Sequence, residues 1–519
     1  MEKSSHENEV QMQHNEENDT ILVWLDFGPY SYINLAIISE LNKLKKFDFI
    51  GIVTTRQDLS YFKNQKYISF KKLYYYPECY IDKSKLNIDY LKKIEEEYNL
   101  NLWSDIFSER SFYRYWTKFH QFTKEEILII IENSIRFFIN IIEEFKPKKI
   151  FMQQAGENVS NLLLYGIAKK MGIETLMPIN LHLRNKIHIS NNFTSKEISD
   201  RFLKSKTNYY EKIENFDKEF LKKRDHTITV KTVSSFDSSI PTTSKKIKHY
   251  FNRLSNDLEP TYNNIGKTKF NMLVHRINNY FEISKRKKFL DNNASRNIEE
   301  GKFLYFPLQS EPEATLLAFA PFYSNQISLI ETVAKAIPID SLLYVKEHPT
   351  QKDKFWRSIK DYKKIIDIPN VKLLHPKVNS LELVERSQGV IAISGSTGFE
   401  ALFYKKPVII FGDEHYEKLS MVTKIKEIGN LSQEIKNALM NYKFNQNELN
   451  IFMKIFNELS LQVRYASIMK DGVSLSAIQR NGENFDLTNM HFKKYTIKYE
   501  EDFKVIANAI FSKIYEAIQ

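Results

Sequence analysis

Two separate parts of this chain alternate short apolar runs with stretches of helical periodicity, and this constrains the fold more than any other feature. In the first part, ILVWLDFG (Ile21 to Gly28) reads as a buried strand, INLAIISELNKLKKF as a helix and FIGIVTT (Phe49 to Thr55) as the next strand. An aromatic-rich segment from Trp103 to Phe122 precedes a long helix from Glu125 to Phe145, whose charged positions recur on one face. KKIFMQQ then reads as a strand. A turn and a helix follow, closed by Gly172 in the C′ position, before a further strand through Thr175 to Ile179. In the second part, FLYFPL (Phe303 to Leu308), LLYVK (Leu342 to Lys346), VKLL (Val371 to Leu374), GVIAI (Gly389 to Ile393) and PVIIF (Pro407 to Phe411) alternate with helix-compatible sequence. Strands that alternate with helices build parallel sheets covered on both faces, so an α/β protein with two such units is expected.

The pattern also suggests boundaries. Residues 1–20 are polar and read as a disordered tail; 21–230 form an N-terminal Rossmann-like domain, and 231–300 a linker with inserted helices that includes the Ser/Thr-rich piece Thr232 to Ser244. Residues 301–430 form the second α/β domain, and 431–519 are closing helices. A chain of 519 residues with 42% hydrophobic and 13% aromatic residues has ample core and is not a disordered class. Its single cysteine, Cys79, excludes an internal disulfide and a thiolate-rich metal site and fits a reducing compartment. The first twenty residues lack the apolar stretch of a secretory signal, and no segment approaches about 18 uninterrupted apolar residues. A cytoplasmic protein is expected. The net charge of +11 favours anionic partners.

In open parallel sheets ligands bind beyond the carboxyl ends of the strands, so the residues after each strand carry the chemistry. In the second unit these are Gln309, Ser310, Glu311 and Glu313; then Lys346, Glu347, His348 and Pro349; then His375 and Pro376; then Ser394, Gly395, Ser396, Thr397 and Gly398; then Gly412, Asp413 and Glu414. The strongest is ISGSTGFEALFYKKPVIIFG (Ile393 to Gly412), a strand, a small hydroxyl-rich turn, a short helix and a strand. Small residues let a ligand approach the backbone, and free N–H groups at a helix start attract phosphate. Thr397 to Glu400 also matches S/T-x-x-E, a capping box; if Glu400 is functional, its carboxylate accepts from ribose hydroxyls rather than meeting phosphate. In YVKEHP, Lys346 offers charge and His348 a hydrogen bond to a departing phosphate. His375 reads as structural.

In the first unit, Glu157 opens a helix directly after a strand and Asp26 ends the first strand. Either carboxylate is placed to take an acceptor proton, although an acid in a first helical turn also serves the helix dipole. The basic runs KKIKHY (Lys245 to Tyr250) and SKRKKF (Ser284 to Phe289) read either as solvated helix faces or as contacts for anionic lipid headgroups. No nucleic-acid module, P-loop, strand-following GxGxxG or D-x-D pair occurs, so neither nucleic acid nor a metal is expected as a partner.

The stretch FPLQSEPE … YVKEHP … VKLLHP … ISGSTGFEALFYKKPVIIFG, roughly Phe303 to Tyr416, resembles the nucleotide-binding half of bacterial capsule and surface-polysaccharide glycosyltransferases, the group containing Kdo-transferring capsule-linker enzymes. QQAGENVSNLLLYGIAKKMGIETLMP is similar to a segment of their acceptor half. The resemblance covers about a third of the chain. It implies a GT-B architecture, two Rossmann-like domains facing across a cleft with the nucleotide-sugar donor on the C-terminal one, and closing helices that return to the N-terminal domain. It assigns the nucleotide phosphate to Lys346, His348, Ser394, Ser396 and Thr397; Gln309 and Glu400, read from their places on the same rim, are the further expected donor contacts. The chain departs from the family pattern in reading Ser394-Gly395-Ser396 where many relatives have adjacent serines, and Lys-Glu-His-Pro where others have Lys-Pro-His-Pro, which leaves the role of Glu347 open.

The leading expectation is a metal-independent glycosyltransferase without a cofactor. It moves a sugar, Kdo or another acidic sugar from a CMP donor in the expected case, onto a surface polysaccharide or glycolipid such as lipopolysaccharide. It works in the cytoplasm or peripherally at the inner membrane, on an anionic membrane surface. Asp26, Glu157 and His348 are the expected catalytic groups. The alternatives are a CDP-glycerol-type glycerophosphotransferase, a nucleotide-sugar 2-epimerase, and an inactive nucleotide-binding scaffold in a polysaccharide assembly complex.

Overall fold

The computed structural model describes residues 19–80, 85–115, 117–156, 158–183, 185–205, 215–222, 261–349, 351, 357–480 and 485–516. Thirteen strands are described: β1 (Thr20–Asp26), β2 (Asp48–Val53), β3 (Phe70–Tyr75), β4 (Lys149–Phe151), β5 (Thr175–Asn180), β6 (Lys186–Ser190), β7 (Phe303–Pro307), β8 (Leu342–Lys346), β9 (Val371–Leu374), β10 (Gly389–Ala392), β11 (Val408–Ile410), β12 (Val422–Lys424) and β13 (Leu461–Gln462). They form two sheets, one in the order β13-β6-β5-β4-β1-β2-β3 and one in the order β12-β11-β10-β7-β8-β9. In the second sheet every pairing is parallel, and its order is that of a doubly wound Rossmann unit. The first sheet has the same order over its five parallel strands and adds an antiparallel edge of β6 and β13. The molecule is therefore α/β with two Rossmann-like units.

Period-two burial explains why these segments are central strands. In β1, Ile21, Val23 and Leu25 face one core and Leu22 and Trp24 the other, and every residue from Ile21 to Asp26 is buried. In β7, Phe303 and Tyr305 pack with Tyr344, Val390 and Val408, while Leu304 and Phe306 pack with Leu343, Val345 and Ile391. The helix expected at Glu125 to Phe145 runs Lys124–Phe145 and starts at a capping box between Thr123 and Glu126. Gly172 takes φ +73 just beyond the Val159–Lys170 helix, as its C′ place requires.

The chain divides differently from the expected spans. Ile198, Phe202, Phe216 and Leu221, placed by the sequence reading in an N-terminal domain of 21–230, pack with the second sheet instead, in one cluster with Phe303, Leu402 and Phe452. Within the expected linker of 231–300, the described part is dominated by the 25-residue helix Lys269–Asn293, whose Leu290 enters the second unit's core. The helix Gln446–Leu459 stays with the second unit. Beyond it β13 joins the first sheet, and the closing helices contribute Tyr465, Ile468, Phe492, Phe503 and Ile510 to the core beneath β1. The return of the closing helices to the first unit matches what the resemblance implied.

Candidate functional site

Strand order places one topological switch point in each unit. In the second it lies between β7 and β10, so the residues that follow these strands, Gln309 and Ser394 to Thr397, meet there. Gln309 Nε2 donates to the Ser394 carbonyl at 2.6 Å. Ser394 itself is buried, and its hydroxyl donates to the Thr315 carbonyl at 2.8 Å, so it holds the turn rather than facing a ligand. Gly395, at φ +94, is the N-cap of the Ser396–Phe403 helix, and no side chain caps that helix. Thr397 is thus the second helical residue. The capping box read between Thr397 and Glu400 does not form, because the helix begins two residues too early for Thr397 to be its cap. The uncapped N–H groups and the positive end of the helix dipole are left for an anion. A Cβ on Gly398 would collide with the hydroxyl of buried Tyr416, which donates to the Gly395 carbonyl at 2.8 Å.

Glu414, after β11, completes this turn by accepting the Gly395 N–H. Burial pushes its carboxyl up to about 7, with the charges of Glu417 and Asp413 adding and the Gly395 N–H opposing. Asp413 pairs with Lys424 and, at 2.5 Å, with Lys196 of the Lys196–Ser205 helix. Because folding raises the Glu414 pKa above its ordinary 4.5, the folded protein holds more protons than the unfolded chain between those two values. The resulting penalty is absent below about pH 4.5, grows as pH rises, and is complete above about pH 7. Glu414→Gln keeps an oxygen for Gly395 and is expected to raise stability at about pH 8 by up to about 3 kcal/mol while changing little at about pH 4.5. Denaturant titration at the two pH values checks this. An equal effect at both would assign the gain to packing.

Lys346 is placed differently from the expectation. Its ammonium is buried, donates to the Ser380 hydroxyl at 2.9 Å, and is pushed down to about 8 by burial, with Glu347 opposing. Glu347 takes the role that the sequence left open. Fully buried, it accepts from the Tyr362 hydroxyl and the His348 N–H, each at 2.5 Å, and from Arg357. Arg357 also reaches the Gln309 carbonyl at 3.1 Å and Glu311 at 3.3 Å, and Glu311 accepts from Gln326 at 2.6 Å. This buried network ties the ends of β7 and β8 together and leaves His348 half-buried at the rim. His375 is structural, as read: Nε2 is 3.2 Å from Asp291, and Nδ1 accepts from the Lys377 N–H at 3.1 Å.

A pocket opens at the seam between the units. Ser396, Glu400, Glu414 and His415 line it from the second unit, and Gln154, Asn180, His182 and Ser195 from the first. The Ser195 hydroxyl and His415 Nε2 are buried and have no hydrogen-bond partner among the described residues. Burial pushes the His415 ring down to about 3, so it is neutral. Two orphaned polar atoms beside an opening mark where a polar ligand would be satisfied. Of the expected residues, the structure thus brings Ser396 and Glu400 to this pocket and sets Gln309 against the same turn, whereas Ser394 and Lys346 turn inward. Thr397 lies part-buried in the first helical turn beside Ser396.

Asp26 does not line the seam pocket. It is buried at the end of β1 with φ 62, its Oδ1 accepts from the Phe27 N–H at 2.9 Å, and nearby Gly28 lies under Ser476 of a closing helix. Glu157 lies outside the described residues. Its neighbour Gly156, at φ +114, is so close to Ala318 of the second unit that a Cβ would stand 2.9 Å from it, which sets this turn at the seam. Asn180, His182, Ser195 and His415 were missed by sequence reasoning. Asn180 and His182 sit at the antiparallel β5–β6 hairpin, which a search for parallel strands passes over. Among the described residues no group of three or more His, Cys, Asp or Glu is arranged to hold a metal ion, and no helix is long and apolar enough to cross a membrane.

Comparison with known proteins places a family on this half of the molecule. Protein FixF of Sinorhizobium fredii is 26% identical over 132 residues, which is 25% of this chain and 31% of the relative, so the match spans about a third of that curated protein. Among solved structures, the chain is similar to the Thermosulfurimonas dismutans KpsC beta Kdo 2,7 transferase, with 12% identity, 61% of this chain and 79% of that chain covered, and a TM-score of 0.31. It is also similar to Methanocaldococcus jannaschii UDP-GlcNAc 2-epimerase in complex with UDP-GlcNAc and UDP, with 14% identity, 85% and 99% covered, and a TM-score of 0.27. The family model described as capsule polysaccharide biosynthesis protein matches residues 219–439, the span that holds the switch-point turn, the buried Arg357 network and Glu414. Over those residues the chain carries the sequence pattern of the capsule polysaccharide biosynthesis family.

Proposed function

We propose that the protein is a glycosyltransferase of capsule or surface-polysaccharide synthesis that moves a sugar from a nucleotide donor onto a glycan or glycolipid acceptor in the cleft between its two units. The observation that carries this is the uncapped, hydroxyl-bearing turn at Ser396, which sits at the second unit's switch point and opens on a pocket whose other wall belongs to the first unit. In this reading the donor phosphate rests on the N–H groups of the first helical turn and on the Ser396 and Thr397 hydroxyls, Glu400 accepts from the ribose, and Gln309 holds the turn. His348 donates to the departing phosphate. Lys346 contributes through the strand end rather than by direct contact.

Transfer forms the bond from the acceptor oxygen to the anomeric carbon and breaks the bond from that carbon to the phosphate oxygen, which leaves with the electron pair. The acceptor proton passes to a base on the first unit. His182 is the titratable side chain of that unit among the residues lining the pocket, and Glu157, beside the seam glycine, is the carboxylate candidate. Buried Asp26 is the more remote one. The expected donor carries CMP and an acidic sugar, and transfer is proposed to need no metal.

The test is a calorimetric and thermal-shift panel of CMP, CDP, UDP and GDP with EDTA present, on the wild-type protein and His348→Ala. The expected result is selective stabilisation by CMP, weakened roughly tenfold in affinity by His348→Ala, a loss of about 1.4 kcal/mol. UDP selectivity would redirect the donor assignment. Binding of none of the four would contradict the transferase reading.

A further inference from the structure

The Lys269–Asn293 helix has a feature that the cleft does not use. Phe270, Val274, Ile277 and Phe281 recur at i, i+4, i+7 and i+11 and so form one stripe. Phe270 is 69% exposed and Phe281 55%. A stripe at this spacing normally faces a core. Here the core-facing side is the other one: Asn279, Arg286 and Leu290 are buried, and Arg286 donates to the Gln351 and Arg357 carbonyls, both at 3.2 Å, which fixes the rotation of the helix on the second unit. The aromatic stripe is thereby held outward. Farther along, Lys285 and Lys288 continue this outward side and Lys287 lies on its flank, all exposed, with Lys285 3.2 Å from Glu282; over its whole length Lys269, Arg276, Lys285, Arg286, Lys287 and Lys288 stand against only Glu282 and Asp291.

We infer that this helix seats the protein on an anionic membrane surface, with Phe270, Val274, Ile277 and Phe281 entering the headgroup–acyl boundary and Lys285, Lys287 and Lys288 meeting lipid phosphates. The inference goes beyond the reading of the cleft and does not depend on which donor is bound. Exposed aromatic and aliphatic side chains flanked by lysines on a rigid helix match a bilayer interface in both polarity and sign. A dissolved polyanion would satisfy the lysines and leave the phenylalanines in water. A second copy of the chain would bring an equal positive charge against this one. The occupant that uses both features is a lipid surface with negative headgroups.

Co-sedimentation of the full chain with vesicles tests this, comparing pure phosphatidylcholine with a mixture containing about 30% phosphatidylglycerol. The wild-type protein is expected to bind the anionic vesicles and not the neutral ones, and to lose roughly tenfold in apparent affinity when salt rises from about 0.1 to about 0.5 M. The double variant Phe270→Glu, Phe281→Glu is expected to lose at least about tenfold in vesicle binding while keeping its melting temperature and nucleotide-induced stabilisation. Lys285→Glu with Lys288→Glu is expected to lose the preference for phosphatidylglycerol. Equal vesicle binding by the phenylalanine variant, or no binding by the wild type, would overturn the inference. So would light scattering that shows a wild-type dimer dispersed by the same variant. A donor panel that failed while vesicle binding persisted would count against the transferase reading alone.

Discussion

Arg357→Met is expected to cost about 3–5 kcal/mol of folding stability, the largest single effect predicted for this molecule. The guanidinium is 2% exposed and faces Glu347, which is fully buried, and Glu311, which is nearly so. Methionine fills similar volume but leaves the Glu347 carboxylate inside the protein with, among the described residues, the Tyr362 hydroxyl and the His348 N–H as its donors. It also removes one of the two donors to the Gln309 carbonyl, so loosening reaches the switch-point turn. Adding Glu347→Gln removes the unpaired charge and is expected to restore part of the loss. Denaturant unfolding of the single and double variants measures both steps. A single variant within about 1 kcal/mol of wild type would show that the network is not what holds the two strand ends.

Ser396→Asp is expected to lower nucleotide affinity at least about a hundredfold, equivalent to about 2.7 kcal/mol. Aspartate at the first position of an uncapped helix supplies the negative charge that the helix end favours, and so occupies the place proposed for the phosphate. Its charge also joins Glu400 and Glu414, which line the same pocket, and repels a phosphate approaching through it. The apo protein should stay folded, since Ser396 is part-buried at the helix surface. An undiminished affinity would move the donor away from this turn.

Much of the fold was legible in the sequence, for a physical reason. Central parallel strands are buried on both faces, so β1, β2, β7, β8, β10 and β11 each appear as short apolar runs, as does VKLL of the edge strand β9, and the observed bounds fall within a residue or two of the reading. The strands that were passed over lie at edges or are antiparallel. β3, with sequence FKKLYY, exposes two lysines at the sheet margin, β12 and β13 span three and two residues, and β6 is an antiparallel hairpin partner. The site was legible as a rim but not as a set of contacts. The turn after β10 could be found because Gly395 and Gly398 are needed where backbone and Tyr416 come close. Nothing in the string LLYVKEHP shows that Lys346 would bond to Ser380, about 34 residues on, or that Glu347 would be neutralised by Arg357. Those pairings are fixed by packing between strands. The exposed face of Phe270 and Phe281 was hidden for the converse reason: its spacing is that of a core helix, and only the buried Arg286 on the opposite side shows which way it points.

Backbone hydrogen exchange with and without the best-binding nucleotide, in wild type and Ser396→Asp, tests the central claim most directly. Slowed exchange is expected in 393–404 at the turn and helix after β10 and in 179–183 across the seam, and it should disappear in the variant. Protection centred instead on the end of β1, around Asp26 to Gly28, with the β10 turn unchanged, would place the nucleotide at the first unit's switch point and contradict the account.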